Sequence, residues 1–125
     1  MQPYINKADF SNEYYFDEGC YITELSNSDD DPSLSIAMAR VEPGVTTQLH
    51  GLTGTVERYV ILEGEGLVEV GNLSAQTVRE CDVVIIPANC TQKITNVGDN
   101  DLIFLAICSP RYQKSCYQKI AEPTF

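Results

Sequence analysis

Residues 43–64 read PGVTTQLHGLTGTVERYVILEG. Two short runs with strand-like residues, 45–50 and 56–62, lie inside this stretch, and turn formers bound them: Pro43-Gly44 before the first, Glu63-Gly64-Glu65-Gly66 after the second. Val, Thr, Ile, Leu and Tyr in short runs read as strands, and glycines at the bounds fit tight turns that demand positive φ. Two ionisable residues stand out. His50, the chain's one histidine, follows Gly44 after five intervening residues, and six residues separate Glu57 from Gly64.

Outward from this stretch the same pattern continues. Strands are predicted at 20–25, 34–41, 67–70, 76–79, 83–86, 92–95 and 102–108. Gly71-Asn72, Pro87-Ala88-Asn89 and Gly98-Asp99-Asn100-Asp101 supply turn chemistry between them. With 45–50 and 56–62 this makes nine short strands, evenly spaced, which points to a sandwich or barrel. In 34–41 the apolar Leu34, Ile36 and Met38 share one face and predict a half-buried strand. Residues 3–19 read as an irregular arm carrying Tyr14, Tyr15 and Phe16, and 110–120 as a short helix opening on Pro110.

A chain of 125 residues has the length of one domain, predicted to run over 1–125 with an arm at 1–19, a barrel at 34–109 and a tail at 110–125. Its hydrophobic fraction of 43% fits a folded chain with its own core. Eight Lys and Arg against 18 Asp and Glu give a formal net charge of -10. A surface this acidic repels phosphate backbones and anionic lipid, so neither nucleic acid nor membrane is expected as a partner. Asp29-Asp30-Asp31 reads as a solvated loop tip. The first residues lack a basic stretch followed by an apolar one, so no secretory leader is expected. The apolar run 102–108 is far too short to span a bilayer. Five widely spaced cysteines without a CxxC pair read as reduced thiols of a cytoplasmic protein.

The run 43–64 resembles the first motif of the cupin superfamily: Gly, five residues, His, one residue, His, three or four residues, Glu, six residues, Gly. A second run, CDVVIIPANCTQKITN at 81–96, resembles the second motif, in which Gly, Pro, Gly, His and Asn follow at fixed spacing. Gly44, His50, Glu57, Gly64, Pro87 and Asn96 fall on their positions, and sixteen residues separate the motifs. The resemblance implies an all-β fold, a single cupin-type double-stranded β-helix or jelly-roll barrel. It also implies a metal site of three His and one Glu. This chain departs from that set: Leu52 replaces the second His, Gln92 the third, and Cys81 and Asn89 stand at two glycine positions. His50, Glu57 and Gln92 remain as a three-ligand set for a divalent transition metal, Mn, Fe, Ni or Zn, with Leu52 an apolar wall.

A smaller group of short single-domain cupins is similar to this chain across Glu57 to Gly64, Pro87, Gln92, Asn96-Val97-Gly98 and Cys108-Ser109-Pro110-Arg111-Tyr112, and carries Gln at the third histidine position. Tyr59 shares a face with Glu57, and in a regular strand over 90–96 Cys90 shares one with Gln92, which makes both pocket-lining candidates. Arg111 reads as a surface residue or as a cap on the pocket mouth.

Two functional readings stand. In one, a metal acts as Lewis acid in a dioxygenase, isomerase or lyase working on a small molecule; Glu57 serves as catalytic base where it is not a ligand. In the other, a metal-free barrel binds or senses a small molecule without catalysis, with His50, Glu57 and Gln92 as hydrogen-bonding groups. A third class, a packed structural barrel, has no site at all. The resemblance further implies a homodimer, paired through sheet edges or an exchanged N-terminal arm.

Overall fold

Alternation along each strand sends one set of side chains inward and the other outward. In the computed structural model, which describes residues 1–123, eleven strands use that alternation to enclose a core. They are β1 (Tyr14–Phe16), β2 (Cys20–Ser26), β3 (Ser35–Val41), β4 (His50–Leu52), β5 (Val56–Glu63), β6 (Gly66–Val70), β7 (Gln76–Val78), β8 (Val83–Ile86), β9 (Gln92–Asn96), β10 (Leu102–Ser109) and β11 (Tyr117–Lys119). All named pairings are antiparallel, in one sheet ordered β1-β2-β3-β10-β5-β8 and another ordered β11-β4-β9-β6-β7. Sequence-distant strands are neighbours in both sheets, the crossover pattern of a jelly roll. No helix among the described residues is long and apolar enough to cross a membrane.

The interior changes character along the strands, and the register makes the change coherent. Val41 pairs with Leu102; the next inward layers pair Ala39, Phe104 and Ile61, then Ala37, Ala106 and Tyr59, then Ser35, Cys108 and Glu57. One end is therefore filled by bulky apolar side chains, with Ile61, Ile86, Ile94, Leu102 and Val41 almost fully buried. Burial of such a side chain contributes about 2–3 kcal/mol. Toward the other end small or polar residues leave space that no side chain fills.

Four expectations need correction. The expected C-terminal helix is absent: Lys114–Cys116 forms one 3-10 turn, and β11 then adds to the edge of β4. Tertiary partners override the weak helical signal of the tail. The Thr53 amide donates to the Cys116 carbonyl and the Ile120 amide to that of Leu49. The arm is not wholly irregular, because β1 pairs with β2 across the Asp17–Glu18–Gly19 turn. The strand expected at 45–50 is reduced to a single bridge, Thr46 to Thr95, with regular pairing only from His50. In β3 the inward face carries Ser35, Ala39 and Val41, while Leu34, Ile36 and Met38 lie on the outer face, half-buried. Small inward residues carry little hydrophobic signal, so periodicity selected the wrong face.

Motif residues outside the site act structurally. Gly64 has φ +90, and a Cβ there would meet the Asp101 carbonyl oxygen at 2.9 Å. Cys81 and Asn89, standing at glycine positions of the motif, keep positive φ of 72 and 67. Fully buried Asn96 ties three segments together: its Nδ2 donates to the Val41 and Asn100 carbonyls, and its Oδ1 accepts from the Gly98 amide.

Candidate functional site

The unfilled end of the barrel holds a cavity of about 60 Å³. Of the six expected site residues, His50, Leu52, Glu57 and Tyr59 line it. Gln92 sits behind the wall, fully buried opposite His50 in the β4–β9 pairing, and its Oε1 accepts a hydrogen bond from the Tyr59 hydroxyl. Cys90 does not line the cavity. The strand begins at Gln92, not at 90, so Cys90 lies in the preceding loop with its thiol toward the Thr91 carbonyl. Arg111 turns away to Asn27 and Asp29.

Glu57 projects inward from β5 between β10 and β8, paired with Cys108 and Ile86. Its Oε2 accepts a weak hydrogen bond from the Cys108 thiol at 3.7 Å, whereas Oε1 is buried without a partner. Loss of water raises the Glu57 pKa to about 7; the nearby Glu18 charge adds to the rise, while Gln92 and Cys108 oppose it. Burial, reinforced by Glu18 and Glu57 respectively, pushes the Cys20 and Cys108 thiols up, so both stay protonated and neither is a thiolate nucleophile.

His50 is held from two sides. Its Nδ1 lies 2.8 Å from the Gln48 carbonyl, which can only accept, so Nδ1 carries the proton and donates it. Nε2 is thereby left with a lone pair, 3.6 Å from Glu18 Oε2. The Tyr117 ring stacks on the imidazole at a centroid distance of 4.8 Å and an interplanar angle of 19°.

Glu18, Glu24, Tyr112 and Tyr117 also line the cavity and were not recognised in the sequence. Glu24 carries a sequence signal, lying two residues from Ile22 on the inward face of β2. Glu18 and Tyr117 carry none, because they arrive through the arm and the tail.

A metal bound by His50, Glu57 and Gln92 needs three free donor atoms. His50 Nε2 and Glu57 Oε1 are free, but Gln92 Oε1 is engaged by Tyr59. Among the described residues no three His, Cys, Asp or Glu side chains converge as a metal-binding group. The set as it stands does not fit a transition metal.

Fold and site together define a small jelly-roll barrel with a largely apolar cavity at one end, into which a few carboxylates and His50 are set. The chain belongs to the Cupin domain family, which matches residues 37–108. It is similar to the uncharacterized protein MJ1618 of Methanocaldococcus jannaschii, 33% identical over 114 residues, covering 90% of this chain and 82% of that one. Solved structures of other proteins share the fold, two of them as follows. KdgF from Halomonas sp. has a TM-score of 0.78 at 12% identity, covering 91% of this chain and 99% of that one. The Streptomyces protein Pac13, described as a nucleoside dehydratase and also solved with uridine, has a TM-score of 0.74 at 18% identity, covering 95% and 92%.

Proposed function

We propose that this cupin binds a small molecule in its interior cavity and exchanges protons with it there, without a metal. The observation that carries the reading is Glu57: buried on the cavity wall, one carboxyl oxygen without a hydrogen-bond partner, its pKa raised by burial to about 7. Such a group donates or accepts a proton near neutrality at little cost. His50, with Nδ1–H fixed on the Gln48 carbonyl, offers Nε2 as the second proton acceptor. Tyr59, tied to Gln92, acts as a positioning wall. A nucleoside dehydratase of the same fold supports the reading, since dehydration is itself acid–base chemistry.

The test is a thermal-shift screen of untagged, chelator-treated protein against neutral, cationic and anionic metabolites. Ligands that raise the melting temperature of the wild type and fail to raise that of Glu57→Gln support the reading. A broad library without one such ligand overturns it.

The tethered imidazole favours a second reading, since a histidine that gives its other N–H to a backbone carbonyl is also poised to ligate a metal. His50, Glu57 and Gln92 would then hold Mn, Fe, Ni or Zn once Tyr59 released Gln92. About one equivalent of metal per chain in untagged protein, lost in His50→Ala, would establish it.

We also infer a homodimer in the cytoplasm. Five free thiols support a reducing compartment. Val83 and Ile85 on β8 and Leu62 on β5 are exposed, as are Tyr4, Ile5 and Phe10 of the arm. On a chain of net charge -10, two copies approach most readily through such uncharged surface.

A further inference from the structure

Apart from the His50 imidazole, the ionisable groups of the cavity's lining are acidic. Glu18, Glu24 and Glu57 all contribute to it, and no Lys or Arg does. Glu57 is the deepest, 8% exposed with Oε1 unpartnered, while Glu24 is exposed at the mouth. Aromatic rings complete the walls: Tyr59 packs against Phe104 at 4.3 Å, and Phe16 against Tyr117 at 5.2 Å. The Tyr112 hydroxyl, also on the wall, is buried without a partner. Enclosed carboxylates beside aromatic faces attract cations and repel anions. His50 Nε2 lies on the same wall, 3.6 Å from Glu18 Oε2.

Size narrows the class. A volume of about 60 Å³ admits a head group of a few heavy atoms. Immediately outside lies a wider vestibule of about 720 Å³, bordered by the same Tyr14, Phe16, Glu18, Tyr112 and Tyr117. Its basic residues, Lys114 and Lys119, line the vestibule and not the cavity.

We infer that the site selects an organic ammonium, its cationic head among Glu18, Glu57 and the aromatic walls and its body in the vestibule. This rests on the proposed binding role of the cavity and names the ligand class for it. The ammonium N–H groups would satisfy Glu57 Oε1, and Glu24 at the mouth would favour entry of the charge.

Three small probes, propylammonium, 1-butanol and butyrate, separate the possibilities when titrated into the full chain at about pH 8 and followed by NMR shifts of cavity residues. Saturable binding of propylammonium, roughly tenfold tighter than either other probe, is expected. It should weaken about fivefold or more in Glu18→Gln and stay unchanged in Glu80→Gln, an exposed control. Should Glu18→Gln fail to fold, Glu24→Gln makes the same comparison. Binding of 1-butanol or butyrate as tight as that of propylammonium overturns the cationic class but leaves the cavity a binding site. Equal weakening in the control variant overturns it as well, since the attraction would then belong to the whole acidic surface. No saturable binding by any probe overturns both the class and the site.

Discussion

Glu57 costs the fold something that its role in the cavity must justify. Its folded-state pKa, about 7 against an ordinary 4.5, means that the folded chain keeps a proton between those values that the unfolded chain has released. Stability contributed by neutral Glu57 is therefore complete below about pH 4.5 and declines as pH rises to about 7, by on the order of 3 kcal/mol. Glu57→Gln cannot ionise and should lose that slope. Denaturant titrations of both proteins from acid to neutral pH measure the difference; parallel curves would place Glu57 in contact with water. Backbone conformation gives a second expectation. Gly64→Ala should cost about 2–4 kcal/mol, because the new Cβ meets backbone at 2.9 Å in a left-handed turn. Cys81→Gly, at φ 72, relieves a strained residue and should hold stability or raise it by up to about 1 kcal/mol. Equal stability of Gly64→Ala and wild type would refute the turn argument. His50, Glu57 and Gly64 were legible in the sequence because each is a residue type that packing alone does not call for. Glu18 was not, since nothing local distinguishes it from other acids of the arm.

At the scale of elements, the sequence locates strands better than it locates their faces or partners. β8 was read with its exact ends, 83–86, because a continuous Val-Ile run before Pro87 has one reading. β3 was located but turned inside out, since its inward Ser35 and Ala39 are less apolar than Ile36 and Met38. The segment of β11 reads as helix in the sequence because its strand identity comes from β4, some sixty-five residues earlier. This strand also seals the site by laying Tyr117 on His50. Ending the chain at Gln113 removes it, and about 2 kcal/mol of stability with it, a fall of roughly 6–10 °C in Tm. His50, now 3% exposed and the chain's one histidine, should then react readily with diethylpyrocarbonate. Unchanged reactivity would mean that β11 does not cover the cavity.

For the whole molecule, charge and shape combine. A net charge of -10 leaves little surface through which two copies can meet, and the exposed Val83 and Ile85 are part of it. Light scattering at micromolar concentration should give the dimer mass for the wild type and the monomer mass for Ile85→Lys; a monomeric wild type would refute the pairing. The same acidity runs into the barrel, from Glu24 at the mouth to the buried Glu57. The fold was legible because its turns and motif spacings are local. The cavity was legible only in outline, because arm, tail and small-residue layers meet there through tertiary pairing. The proton exchange proposed for the cavity depends on the ionisation of Glu57, so the most direct measurement is a carbon-13 NMR titration of its side-chain carboxyl, assigned by its absence in Glu57→Gln. We expect a midpoint near 7. A midpoint at or below the ordinary 4.5 would contradict the account, marking a carboxylate that is solvated or held by a cation and not a proton donor at neutrality.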